Sequence, residues 1–164
     1  MATQQVVFTL VTFLHDLFTV VWIGGLFTLI LTVLPAAKKV WGPGPQVKQL
    51  LDAIQKRLSP LVYGSIVGLA LTGLLLARRN PAFGGLFSFA NPYAAGLAAK
   101  HLLMLAMVAV TLVRSVALRP RGLPRGPRPE KLSLALLLVN GALGLVVLFL
   151  SALTAALAAG PPAA

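Results

Sequence analysis

Four ionisable residues interrupt otherwise apolar stretches of this chain, as the pairs His15-Asp16 and Lys100-His101. A centred Asp, Lys or Arg costs about 2.5–3.5 kcal/mol in a hydrocarbon layer, so such residues persist where they face a packed interior, meet a partner or do chemistry. His101, Met104 and Met107 recur every three residues, one helical turn apart along a slowly drifting stripe. Imidazole nitrogen with thioether sulfur suits copper, above all Cu(I), and does not suit Mg or Ca. With His15 the set reaches four ligands from two segments. Two histidines on separate helices also suit one haem b iron as axial ligands, and then neither Met is needed.

Each of these residues has a plainer reading. Met in an apolar helix is more often filler than ligand, and either His can be a hydrogen-bonded structural residue. Asp16 and Lys100 can neutralise each other as a buried pair. Alternatively they tune the charge of the site, with Asp16 orienting His15, and Lys100 can also snorkel outward. Trp22, seven residues from His15 on the same face, is expected to pack near it. Asn140 reads as an interhelical hydrogen-bonding residue rather than a ligand. The chain has no cysteine, which excludes disulfides, thiolate metal sites and c-type haem attachment. It carries no Walker loop, nucleotide fingerprint, serine elbow or His-Glu zinc helix, so nothing soluble-enzyme-like is legible.

The elements that must position these side chains are apolar helices. Of the 164 residues, 58% are hydrophobic and 10% charged, against about 25% charged in an ordinary soluble domain. The mean hydropathy is +0.91. The apolar residues fall into four blocks at about 6–34, 61–77, 93–118 and 132–159, each close to or above the ~20 residues a hydrocarbon core needs. Between the first two, Trp41-Gly-Pro-Gly-Pro45 forms a turn, and 46–58 has the one-sided apolar pattern of a short amphipathic helix on the membrane surface. Gly24, Gly25, Gly64, Gly68, Gly73, Gly141 and Gly144 read as close-packing positions between helices.

The 14 Lys and Arg against 3 Asp and Glu give a net charge of +11. Eleven of those basic residues fall in or beside the first and third connections, from Lys38 to Arg57 and from Arg114 to Lys131. The charge is therefore a topology signal, with those connections cytoplasmic and both termini extracytoplasmic. Anionic lipid is a secondary partner for such loops, and no folded module supports nucleic-acid binding. His15 lies 23 residues from Lys38 and His101 lies 18 from Arg119, roughly 34 and 27 Å above the cytoplasmic side. A shared outer-leaflet site is the expectation. The expected fold is all-α: a single integral membrane domain, 1–164, built as an up-down four-helix bundle.

The order of motifs carries a resemblance. His15 is followed by Trp22-Ile23-Gly24-Gly25 and Leu34-Pro35-Ala36, then Leu71-Thr72-Gly73-Leu74-Leu75, then Asn91-Pro92-Tyr93 with Lys100 beyond, and Pro161-Pro162 after the fourth span. Over nearly the whole chain this resembles the four-helix domain of the copper-resistance protein D (CopD) family. The resemblance implies copper transport or delivery across the plasma (inner) membrane of a bacterium or archaeon, with His15, Trp22 and Lys100 at motif positions. Four short helices give a narrow bundle with little room for a continuous pathway, so a homo-oligomer or larger membrane complex is expected. An extracytoplasmic copper-binding protein is a further expected partner. Larger relatives carry further spans or a fused copper-binding domain, and these 164 residues show neither. His15, Trp22 and Lys100 are also similar to the pattern of the HemJ-type protoporphyrinogen oxidases. That second likeness implies haem, in an electron-transfer subunit or an oxidase. A third expectation is a structural subunit without any cofactor.

Overall fold

The computed structural model describes residues 3–81, 83–117 and 127–159, and every regular element among them is helical. Four helices are long and apolar enough to cross a membrane: α1 (Thr3–Trp41), α2 (Pro45–Arg78), α3 (Pro92–Leu112, continued by a π-helical turn at Val113–Ala117) and α4 (Pro127–Ala159). Large apolar side chains face outward on all of them, among them Leu31, Val67, Leu105 and Phe149. Such a surface suits lipid as solvent, since in hydrocarbon a helix satisfies its own backbone and needs no apolar shelter. The chain is a multi-pass membrane protein. Most of the basic third connection (118–126) and the tail (160–164) lie outside the described residues.

The chain divides into two compact units, Met1–Leu76 and Ala77–Ala164. In the first, α1 and α2 form an antiparallel hairpin. Gly42 ends α1 with φ +69°, a conformation that favours glycine, and its N–H bonds the Lys38 carbonyl at 2.9 Å. The contacts His15–Thr72 and Phe18–Gly68 fix the register. Both pairs are centred on the 42–44 turn, so the two arms run back along one another from it.

Two π-helical turns interrupt α1, at Val20–Gly24 and Thr28–Val33. The second lies just ahead of Pro35, which has no N–H to give Leu31 and crowds that carbonyl; widening the preceding turn relieves the conflict. The first holds Trp22 and Ile23, where the buried stripe of α1 begins; no residue of Thr3–Thr19 is fully buried. The facing stripe of α2 is Ser65, Leu69 and Thr72.

One expected boundary is absent. The segments 46–58 and 61–77 are parts of a single helix, which runs through Pro60. Pro60 removes one donor from the ladder, but its ring sits at an exposed position, away from the packed side.

In the second unit α3 packs along α4. Asn91 caps α3, its side-chain oxygen accepting from the Ala94 N–H at 2.7 Å, with Pro92 in the first turn where no N–H is needed. Gly96 admits α4 closely: a Cβ there would lie 2.9 Å from Thr154 Cγ2. At the other end of α3, Arg114 Nε donates to the Ser133 carbonyl at 3.2 Å.

Gly64 and Gly68 test the hairpin. A Cβ on Gly64 meets nothing within 4 Å, whereas one on Gly68 runs into the Phe18 ring. Gly64→Ala should stabilise the detergent-solubilised protein by about 0.5–1 kcal/mol through helix propensity. Gly68→Ala should destabilise it by about 1–3 kcal/mol through overpacking. Thermal unfolding of the two variants side by side measures the difference, and equal shifts would contradict the packing of α1 on α2.

Candidate functional site

A polar spot between the arms of the first unit is built around His15. Its Nδ1 lies 2.8 Å from Thr72 Oγ1, and the same oxygen lies 2.6 Å from the Gly68 carbonyl, to which it donates. Gly73 makes room for the ring, since a Cβ there would stand 3.3 Å from His15 Cε1. His15 is half-buried and Thr72 buried. Asp16, the next residue, is exposed and so is turned away from the packed face.

The hairpin register gives the depth of this spot. From Arg57 to Arg78 α2 carries no charged residue between them. That stretch rises about 31 Å and matches a hydrocarbon core of ~30 Å. Sliding the membrane toward the 42–44 turn would draw Arg57, Lys56 and Asp52 into the hydrocarbon at ~2.5–3.5 kcal/mol each. With the slab between the two arginines, Thr72 and hence His15 sit about 9 Å inside the Arg78 end.

Trp22 is 1% exposed, and its indole Nε1 has no hydrogen-bond partner. An orphaned buried donor of that kind is uncommon in a folded protein. It lies within the first π turn of α1, and π turns of this kind recur at functional sites.

His101, Met104 and Met107 belong to the second unit. The His101 Nδ1–H donates to the Leu97 carbonyl one turn back, at 2.7 Å. A carbonyl can only accept, so Nδ1 carries a hydrogen, and of the two tautomers this is the one whose lone pair is on Nε2. Metal-binding histidines are oriented in this way, by a carbonyl or carboxylate on the nitrogen away from the metal. The Phe87 ring from the 80–91 connection meets the His101 ring edge to face, with centroids 6.5 Å apart. Lys100 and Met104 are half-buried and Met107 is fully buried. Among the described residues, no three His, Asp or Glu side chains gather where they could hold a metal ion.

Asn140 joins α3 and α4 as its type and position suggested. It is fully buried, and its Nδ2 donates to Thr111 Oγ1 at 3.1 Å, while that hydroxyl donates to the Met107 carbonyl at 2.8 Å. The amide cannot be turned over, because Thr111 has no second proton to offer Oδ1. The Asn140 Oδ1 is left without a partner.

Sequence reasoning missed Thr72 as the group that holds His15, and it missed Gly96. The signal for Thr72 was its place beside Gly73 in an apolar helix, but only the hairpin register shows which residue faces it. Of the glycines expected at close contacts, Gly68 and Gly73 stand against α1 side chains and Gly141 and Gly144 are buried; Gly25 and Gly64 face open space. Comparison with protein-family models, with curated proteins and with solved structures finds no match to this chain.

The Asn140–Thr111 contact yields a paired test. Asn140→Leu removes an orphaned carbonyl together with one hydrogen bond, and should change stability by no more than about 1 kcal/mol despite the full burial of the site. Thr111→Val strips the acceptor and leaves the whole amide unsatisfied, which should cost about 1–3 kcal/mol. Unfolding of both variants in one detergent checks this order, and the reverse order would contradict the hydrogen-bond assignment.

Proposed function

We propose that this chain is a plasma-membrane copper-binding protein that carries copper across the membrane or hands it on, with His15 and His101 as nitrogen ligands. Met104 and Met107 are the sulfur ligands, and Asp16 and Lys100 adjust the local charge. The observation that supports the reading best is the His101 ring, whose Nδ1–H is tied to the Leu97 carbonyl so that Nε2 keeps the lone pair. Imidazole and thioether donors without any thiolate favour Cu(I) over the hard cations. The ordered motifs that resemble the copper-resistance protein D family support the same reading. An extracytoplasmic copper-binding protein and a second copy of the chain are the proposed partners.

The full burial of Met107 favours a second reading, haem b. There both Met residues are packing residues and the two histidines are axial ligands; the HemJ-type likeness at His15, Trp22 and Lys100 supports haem. Bound haem would supply redox chemistry, while the chain would hold it by imidazole and keep water away.

Metal analysis and optical spectra of one purified sample, reduced and oxidised, separate these readings. The copper reading expects near-stoichiometric copper, its loss in His15→Ala and weaker binding in Met104→Leu. Unchanged stoichiometry in His15→Ala contradicts it. A Soret band with sharp reduced α and β bands, unaffected by Met104→Leu, selects haem. Neither cofactor after reconstitution with both selects a structural subunit.

A further inference from the structure

The oxygen of Thr72 sits between two groups, the Gly68 carbonyl at 2.6 Å and the His15 Nδ1 at 2.8 Å, and it has one proton. If that proton pointed at His15, the hydroxyl and carbonyl oxygens would face each other at 2.6 Å with nothing between them. The proton therefore lies on the line to Gly68, and the hydroxyl is an acceptor toward the ring. The Nδ1 of His15 must then carry the hydrogen, whether the ring is neutral or protonated. Nε2 is the ring nitrogen that Thr72 does not hold.

Local geometry reinforces this choice. Gly73 lies against the ring edge, with His15 Cε1 3.3 Å and Nδ1 3.8 Å from where its Cβ would be. A larger residue there would push the ring off Thr72. Thr72 is itself 7% exposed, so no bulk water competes for its oxygen. His15 also cannot move freely along α1, because Phe18, one turn on, stands against Gly68. The three α2 residues Gly68, Thr72 and Gly73 thus form a slot that admits one ring orientation and one tautomer.

We infer that Thr72 is a positioning residue for His15, using its hydroxyl to hold the ring by Nδ1 and present Nε2 to a soft metal ion. The metal-binding half of this statement rests on the copper reading, and the tautomer half stands without it. The His101 ring reaches the same protonation pattern through the Leu97 carbonyl, so the chain's two histidines are prepared alike by different acceptors.

The test uses the full chain in detergent, labelled with 15N-histidine and free of metal, at a pH well above the ordinary histidine value of about 6.5. The His101→Asn protein, recorded in parallel, assigns the two rings. The expected wild-type spectrum shows His15 with its proton on Nδ1. Thr72→Val, which keeps the shape and removes the hydroxyl, should shift His15 toward the Nε2–H form, and Thr72→Ser should hold the wild-type form. Copper affinity should fall on the order of 10-fold to 100-fold in Thr72→Val and recover in Thr72→Ser. A wild-type ring with its proton on Nε2 overturns the inference, whatever the variants do and even if the Val variant fails to fold. So does a tautomer unchanged in Thr72→Val, or one lost in Thr72→Ser. If the tautomers behave as expected but the wild type binds no copper, the positioning role stands and the copper reading falls.

Discussion

A hydroxyl inside hydrocarbon has no water to bond, and nine hydroxyls of this chain resolve that constraint in the same way. Thr9, Thr12, Thr19, Thr28, Ser59, Thr72, Thr111, Ser151 and Thr154 each donate to the carbonyl four residues back on their own helix. The habit satisfies the donor locally and leaves an oxygen that can still accept. At Thr72 and Thr111 a second helix uses that remaining capacity. His15 donates to Thr72, and Asn140 donates to Thr111. These two bonds are therefore directional, running from a nitrogen donor into a hydroxyl whose proton is already committed. The orientation of His15 and of Asn140 follows from this rule.

Steric detail then decides where helices can approach. At Gly68, Gly73 and Gly96 the missing side chain lets a neighbouring helix's residue come near, Phe18, His15 and Thr154 respectively. In a membrane such contacts matter more than apolar burial, because lipid tails are as apolar as the side chains they would replace. That is why so many large apolar residues can face outward while a few small ones hold the helices together.

The sequence makes the number, type and approximate limits of the helices legible, because runs of apolar residues bounded by charge and by Gly and Pro leave little choice. Asn91-Pro92 reads as a helix start and is one. What the sequence conceals depends on geometry between segments. Pro60 looks like a boundary, yet the helix passes through it, since the cost of one lost hydrogen bond is set by surroundings that no local pattern reveals. The π turns of α1 leave no compositional trace, apart from Pro35 downstream of the second. At the candidate site, His15 and His101 were visible as costly residues in apolar surroundings. Thr72 was not, because a threonine in such a helix costs nothing once it bonds its own backbone, and only the pairing of the arms gives it a role.

The mirror register of α1 and α2 about the 42–44 turn also gives the two arms different tolerance for changes in length. Each π turn stores one residue more than a regular helix needs over the same rise, so α1 holds slack between the turn and His15. Losing a residue there can be absorbed by tightening a π turn into an ordinary one. The α2 arm from Pro45 to Thr72 has no such reserve. One residue gained or lost on that side swings Thr72 by about 100° around its helix and away from the ring it holds. The hairpin is in effect a ruler with one rigid edge and one elastic edge, and its fixed marks are on α2.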